Sequence, residues 1–335
     1  MVALSDLWTE IALEGKTEPG WHARRIHSES ACDMRAAIQA PSGTIGLLFE
    51  VSAKSVPPAS ELPNCVGFNL AIETMHPGPN GSVRLCLLLK DRRFKDIFTT
   101  LAEDVIGPVA GAPTEATGVR SLLGRLHTWQ RFVSRFGVER LSDEELVGLF
   151  AELHFMSSEV VPFVDCASAV GAWRGPYGEP QDFRFRSVAV EVKASSARAP
   201  AVFRIANLDQ MDPGSREILL VYHVVLDADL AAGQTLPELI GRIRSTLVAS
   251  DAAAAVDFDA SLIETGYLDI HSDAYSRRFA VRSSTWLNVA NDFPRLTRGT
   301  VMQGVTDASY SVSLQACVPH TIDANVAHEM MQSRL

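Results

Sequence analysis

The sequence predicts an α/β protein: a mixed central sheet flanked by helices over residues 116–228, between an N-terminal β-rich module (1–115) and a C-terminal α+β module (229–335). Three observations predict it. At 335 residues the chain is long for one compact core, which favours two or three packed modules. From about Thr117 the apolar spacing becomes helical, and beyond Pro162 it breaks into short alternating runs. With 47% of residues apolar and 21% charged, there is ample material to bury and no bias toward disorder.

The elements follow in chain order. Leu4, Leu7, Trp8 and Ile11 form the apolar stripe of an opening helix. Ser42-Gly43 is a turn between apolar runs 34–40 and 44–51, and HPGPNG (76–81) separates runs 66–73 and 83–89. A helix is expected over 94–106, then a linker, GPVAGAPTEATG. On the next helix Leu122, Leu126, Trp129, Val133 and Phe136 share one side. Arg120, His127, Arg131 and Arg135 share the other, a basic stripe that reads as a solvated face or as one that tracks phosphates. Ser142-Asp-Glu-Glu145 is a capping box, with Leu141 and Leu146 as its hydrophobic staple, and opens a helix to about residue 161, stopped by Pro162. Strands are then expected over 170–173, 182–186, 188–195, 202–208 and 218–226. A second capping box, Thr235-Leu-Pro-Glu238, begins a helix before an alanine-rich stretch and a strand over 310–318.

Composition removes several function classes. No apolar run approaches the roughly 18 residues of a membrane span, and acids stand where a secretory leader carries bases, so a cytoplasmic protein is expected. Five scattered cysteines without a CxxC spacing argue against a disulfide framework or a zinc site. A net charge of −10 is the wrong sign for holding nucleic acid by bulk attraction, so any such contact needs a local patch or a partner. Phosphate-cradling glycine loops, dinucleotide fingerprints, nucleophile elbows and HExxH helices are missing from the sequence.

The informative segment is QDFRFRSVAVEVKAS, residues 181–195. Folded as two strands about Arg186-Ser187, it sets Asp182 opposite Glu191, and opposed residues of an antiparallel pair share a face. Alternation places Ala189, Glu191 and Lys193 on that face and Val188, Val190 and Val192 on the other, where they must pack into a core. Two carboxylates with β-carbons about 5 Å apart repel unless a cation sits between them. Magnesium suits such a site, since it binds through one or two carboxylates, keeps waters and takes a substrate phosphate. It would polarise the phosphoryl group and acidify a water, with Lys193 placed to orient that water or neutralise developing charge. Residues 180–205 hold five bases (Arg184, Arg186, Lys193, Arg198, Arg204) and two acids, an inversion of the overall charge that phosphate binding would explain. Arg184 shares the face of Asp182. Trp173 reads as core, and Gln210, in NLDQM, as a turn residue, with a contribution to the site as the alternative.

These residues resemble the motif of the PD-(D/E)XK nuclease superfamily, and more closely a bacterial family named for that motif, restriction-type nucleases of defence clusters. The likeness rests on Gly148-Leu149-Phe150-Ala151-Glu152-Leu153, Trp173-Arg174-Gly175-Pro176, Gln181-Asp182-Phe183 and Glu191-Val192-Lys193. It is strongest over 141–230. Two departures stand out: Gln181 separates Pro180 from Asp182, and only eight residues lie between Asp182 and Glu191. The resemblance implies a restriction-endonuclease-like core with Asp182 and Glu191 as metal ligands, the Val192 carbonyl as a further one, Lys193 as catalytic lysine and Glu152 as the supporting helix glutamate. Arg184, Arg131 and Arg135 are the expected substrate contacts. It further implies Mg2+ (Mn2+ able to substitute), double-stranded DNA as substrate, and methyltransferase and ATPase partners in anti-phage defence; a homodimer is left open. The competing reading is a non-catalytic subunit that kept the fold and binds DNA or a defence partner.

Overall fold

The computed structural model describes residues 3–14, 18–74, 81–196, 202–214, 218–229, 231–290 and 292–332. Most of the HPGPNG turn (76–80) and Arg198 lie outside these. The chain forms two compact units, Met1–Arg140 and Leu141–Leu335. Sequence reading had placed boundaries at 115 and 228. The helix after residue 115 instead packs on the one before it, and the strand that ends at Ala228 pairs with one from the C-terminal segment.

The first unit contains α1 (Leu4–Leu13), β1 (Gly20–Ile26), β2 (Asp33–Ala40), β3 (Thr44–Ser52), β4 (Phe68–Thr74), β5 (Ser82–Leu89), α2 (Lys95–Ala110) and α3 (Glu115–Phe136). The five strands make an antiparallel sheet in the order β1-β2-β3-β5-β4. Register brings Met34, Phe49 and Leu85 onto one face, all buried, and Trp8 of α1 donates its indole N–H to the Gly46 carbonyl at 3.1 Å. The expected linker is a correction: α2 runs through Pro108 to Ala110, because Val105, Ile106 and Val109 are buried, and α3 starts after four intervening residues, behind a Thr114 cap. Asp104 ties the two helices together through Arg125 and the Trp129 indole. Leu122, Leu126, Trp129 and Val133 face inward, and Arg120, His127, Arg131 and Arg135 are exposed.

The second unit contains α4 (Asp143–Phe155), α5 (Cys166–Ala172), β6 (Phe183–Arg184), β7 (Val188–Ser196), β8 (Val202–Ile205), β9 (Ile218–Ala228), β10 (Gln234–Thr235), α6 (Leu236–Ser250), α7 (Ala252–Glu264), β11 (Arg278–Asn288), β12 (Tyr310–Ser313), α8 (Leu314–Cys317), β13 (Thr321–Ile322) and α9 (Ala324–Gln332). Its main sheet is mixed, in the order β10-β11-β9-β7-β6, with β7 and β9 parallel and the other pairs antiparallel; β13 pairs with β11. Both predicted capping boxes form, at Ser142/Glu145 and Thr235/Glu238. Two expected strands are corrected. Residues 166–172 are helical, because Asp165 caps the Ser168 amide and the small residues CASAVGA allow close packing. The strand at Tyr310 ends at Ser313 and turns into α8.

Val188, Val190 and Val192 enter a large core with Leu146, Leu149, Phe150 and Leu153 of α4. On the opposite face Ala189, Leu219 and Val221 pack against Phe203, Ile205 and Val312, from the β8–β12 pair. The sheet is thus buried on both sides where β7 and β9 run parallel, as parallel strands require.

Candidate active site

The site begins with register. Phe183 pairs with Val190 and Arg184 with Ala189, so the next step back along β6 sets Asp182 against Glu191, as the spacing predicted. Three hydrogen bonds fix Asp182. Its backbone carbonyl accepts from the Arg174 and Gly175 amides at 2.7 and 3.0 Å, and its Oδ2 accepts from the Val192 amide at 2.7 Å. The Trp-Arg-Gly-Pro step therefore clamps the aspartate.

Trp173 is fully buried and donates its indole N–H to Glu152 Oε2 at 2.7 Å, turning the α4 glutamate toward the same place. Gly175 lies between the two acids. A β-carbon there would sit 2.7 Å from Glu152 Oε2 and 3.3 Å from Asp182 Oδ1. Those oxygens are hence within about 6 Å of one another, the range over which like charges raise each other's pKa.

Glu191 is 1% exposed. Its Oε1 lies 2.7 Å from Lys193 Nζ, while Oε2 is buried with no hydrogen-bond partner. Burial first, and the Asp182 charge second, push its pKa up to about 8. Burial also raises Asp182, and burial together with Asp182 raises Glu152 well above the carboxylate range. For Lys193 burial pulls the pKa down, yet the charges of Glu191 and Asp182 outweigh it, so the ammonium is held. Three carboxyls around one ammonium would carry two excess negative charges if all were ionised, the complement of one divalent cation.

Lys193 also donates to Gln210 Oε1 at 3.4 Å, and that oxygen accepts from the Ala206 amide at 2.7 Å. Gln181, almost fully buried, donates to the carbonyls of Asp209, Gln210 and Asp212, which pins the turn carrying Gln210. His223, register partner of Lys193 on β9, is 1% exposed with Nε2 unpartnered, and burial lowers its pKa to about 4. Sequence reading missed His223 and the Gln181 clamp. The available signal was a polar residue inside the apolar run ILLVYHVVL and a glutamine at the parity of Phe183, where alternation wants an apolar side chain.

Asp182, Glu191, Lys193 and Glu152 are thus brought together. Val192 contributes its amide to Asp182. Arg184 is ion-paired with Glu179. Arg131 and Arg135 belong to the other unit, where Arg131 bonds Thr128 and Arg135 lies over the Phe136 ring. Among the described residues no group of three or more His, Cys, Asp or Glu side chains is disposed to hold a metal ion. A cation here would rest on two carboxylates, a backbone oxygen and water, an arrangement that magnesium accepts. The unpartnered Glu191 Oε2 fits it.

The chain matches, over residues 4–315, the model of a family described as "Putative PD-(D/E)XK family member". Neither the curated proteins nor the solved structures contain a match.

Proposed function

The chain belongs to this PD-(D/E)XK family, and from that premise we propose that it is a metal-dependent endonuclease that hydrolyses phosphodiesters of double-stranded DNA, built on a restriction-endonuclease-like core. One observation carries the reading: a buried glutamate oxygen without a partner, beside an aspartate and a lysine at the D…ExK spacing. Asp182 and Glu191, with the Val192 carbonyl, would hold Mg2+ or Mn2+, which when bound would polarise the scissile phosphoryl group and acidify a water. Glu152, held by Trp173 beside Asp182, is pushed toward its neutral form by burial and by Asp182, and a cation bound there would favour its ionised form. Lys193, which pairs with Glu191, would neutralise charge developing on phosphate. Arg184, paired with Glu179, is the proposed contact to a backbone phosphate in this unit, and Arg131 and Arg135 are exposed bases of the other unit proposed as further phosphate contacts. The setting proposed is the cytoplasm, in a defence system with methyltransferase and ATPase partners.

Supercoiled plasmid incubated with the protein and Mg2+ tests the reading. Cutting by the wild type should fall at least about 100-fold in Asp182→Ala and in Lys193→Ala. Equal nicking by all three would reject it.

The non-catalytic reading draws on the Lys193–Glu191 ion pair, which already satisfies half of the glutamate, and on the absence of a three-ligand group among the described residues. It predicts that neither Mg2+ nor Mn2+ raises the melting temperature at any concentration.

A further inference from the structure

We propose that the first unit carries a surface that holds the phosphates of duplex DNA without reading its sequence, formed by the exposed stripe of α3 and the segment 90–95 that leads from β5 into α2. The proposal rests on the nuclease reading above and brings in Lys90, Arg92, Lys95 and Arg120, residues that reading does not use. Charge within the unit is divided. Residues 1–89 hold six bases and nine acids, whereas residues 90–140 hold nine bases and six acids. Most of those six acids are engaged elsewhere. Asp91 pairs with Arg93, and Asp104 binds Arg125 and the Trp129 indole. Glu115 accepts from the Ser52 amide and the Ser55 hydroxyl, and Glu103 lines a cavity with Leu4, Leu7 and His27. The bases are left over. Arg92, Lys95, Arg120 and Arg135 are exposed, and none of them forms an ion pair with a carboxylate among the described residues. Lys90, also exposed, donates to the neutral Asn64 Oδ1 at 3.1 Å.

Asn64 joins the two segments. Its carbonyl accepts from the Gln130 amide nitrogen at 3.0 Å while its side chain holds Lys90, so residues 90–95 meet the middle of α3 beside Arg131. The exposed positions of α3 are Ala116, Arg120, Gly124, His127, Arg131, Ser134 and Arg135. They include no acid and no apolar side chain larger than alanine. Helical spacing makes them one stripe, and from Arg120 to Arg135 it runs about 22 Å, the rise of about six base pairs. This composition selects the partner. A protein interface has an apolar centre, and a membrane surface needs apolar side chains to insert. A row of bases spaced by small residues offers neither, and suits a phosphate backbone that can approach the helix closely. Contacts of that kind fix position and carry no sequence information. Residues 1–140 are neutral overall, with 15 bases and 15 acids, so a polyanion meets this face without the repulsion of the acidic unit's charge being built into it.

The test measures binding of the full chain, without metal so that nothing is cut, to two duplexes of unrelated sequence by fluorescence anisotropy across a salt series. The wild type should lose affinity with a log–log slope of about 3 or steeper, since each phosphate contact contributes about 0.9. Combining Arg92→Gln, Lys95→Gln and Arg120→Gln should make the slope shallower by about 2.7 and weaken binding about 10- to 100-fold at physiological salt, equally on both duplexes. Arg92→Lys with Arg120→Lys, which keeps the charge, should keep the slope. A wild-type slope shallower than about 3 rejects the surface whatever the variants do. So does a triple variant that melts and binds like the wild type, or one that loses affinity for a single duplex only. Phosphatidylserine vesicles bound by the wild type and not by the triple variant, with duplex affinity equal in both, also reject it. Plasmid cutting by the wild type in Mg2+ runs in parallel. Cutting beside an unaltered triple variant removes the surface and leaves the nuclease reading, whereas the expected slopes without any cutting remove the nuclease reading alone.

Discussion

At the scale of single residues, the site is a set of charges held against their preference. Gly175 illustrates how little room there is. Gly175→Ala would drive a methyl into Glu152 Oε2 and against Asp182 Oδ1. Glu152 cannot simply swing away, because its carboxylate is bound to the Trp173 indole. We expect about 1 kcal/mol of lost stability by chemical denaturation but a drop in plasmid cutting of about 100-fold, the cost of a carboxylate displaced by an ångström. His223 gives a pH signature instead. Its pKa falls from 6.5 to about 4 in the folded chain. Between those values the unfolded chain takes up a proton that the folded one refuses, so stability is complete above pH 6.5 and is lost as pH falls toward 4. His223→Leu should flatten that acid limb by about 2 to 3 kcal/mol in urea titrations run across the window, and leave stability at pH 7.5 nearly unchanged. An acid limb identical in both proteins would show that the imidazole is hydrated.

At the scale of elements, the hairpin was legible because its two periodicities agree. Alternation assigns the valines and the acids to opposite faces, and the loop length fixes the register of Phe183 and Arg184, so the side of the sheet that Asp182 and Glu191 share could be read locally, while the clamp on Asp182 from Arg174 and Gly175 could not. The capping boxes were legible for a similar reason: they are local hydrogen bonds between residues three apart. What escaped depends on distant partners. Residues 166–172 read as a strand by composition, but the Asp165 cap and burial of Ala169 and Val170 decide for a helix. β1 and β11 were missed because each carries a polar stretch, HARR and RSST, that alternation alone cannot distinguish from a loop. The turn at 209–212 belongs to the same class, being held by side chains from distant parts of the chain: Gln181, Arg295 and Arg298. Gln181→Ala would leave the carbonyls of Asp209 and Asp212, and the weaker contact to Gln210, without their amide donor. The expected cost is about 1 to 3 kcal/mol. Hydrogen exchange of the Ala206 amide, which bonds Gln210, should speed up selectively, while amides of β7 and β9 keep their protection.

At the scale of the whole molecule, charge and chemistry divide along the same line. Residues 1–140 hold 15 bases and 15 acids, and residues 141–335 hold 15 bases and 25 acids, so the entire net charge of −10 sits in the unit with the carboxylate site. On the proposed reading, that acidic unit would favour a divalent cation, and DNA would have to be met by local contacts rather than by bulk attraction. The proposed cation site would need nothing from the first unit, since Glu152, Asp182, Glu191 and Lys193 and every contact described for them lie within 141–335. Each unit also has its own buried core and its own sheet. Residues 141–335 expressed alone should therefore fold cooperatively and keep the cation's effect. At a Mg2+ concentration 100 times the dissociation constant, binding to the folded state alone adds about 2.7 kcal/mol. Scanning calorimetry of the fragment should then show an upward shift of a few degrees with Mg2+, absent in Asp182→Asn. A fragment that folds without responding to the cation, beside a full chain that responds, would mean that the first unit supplies part of the binding site.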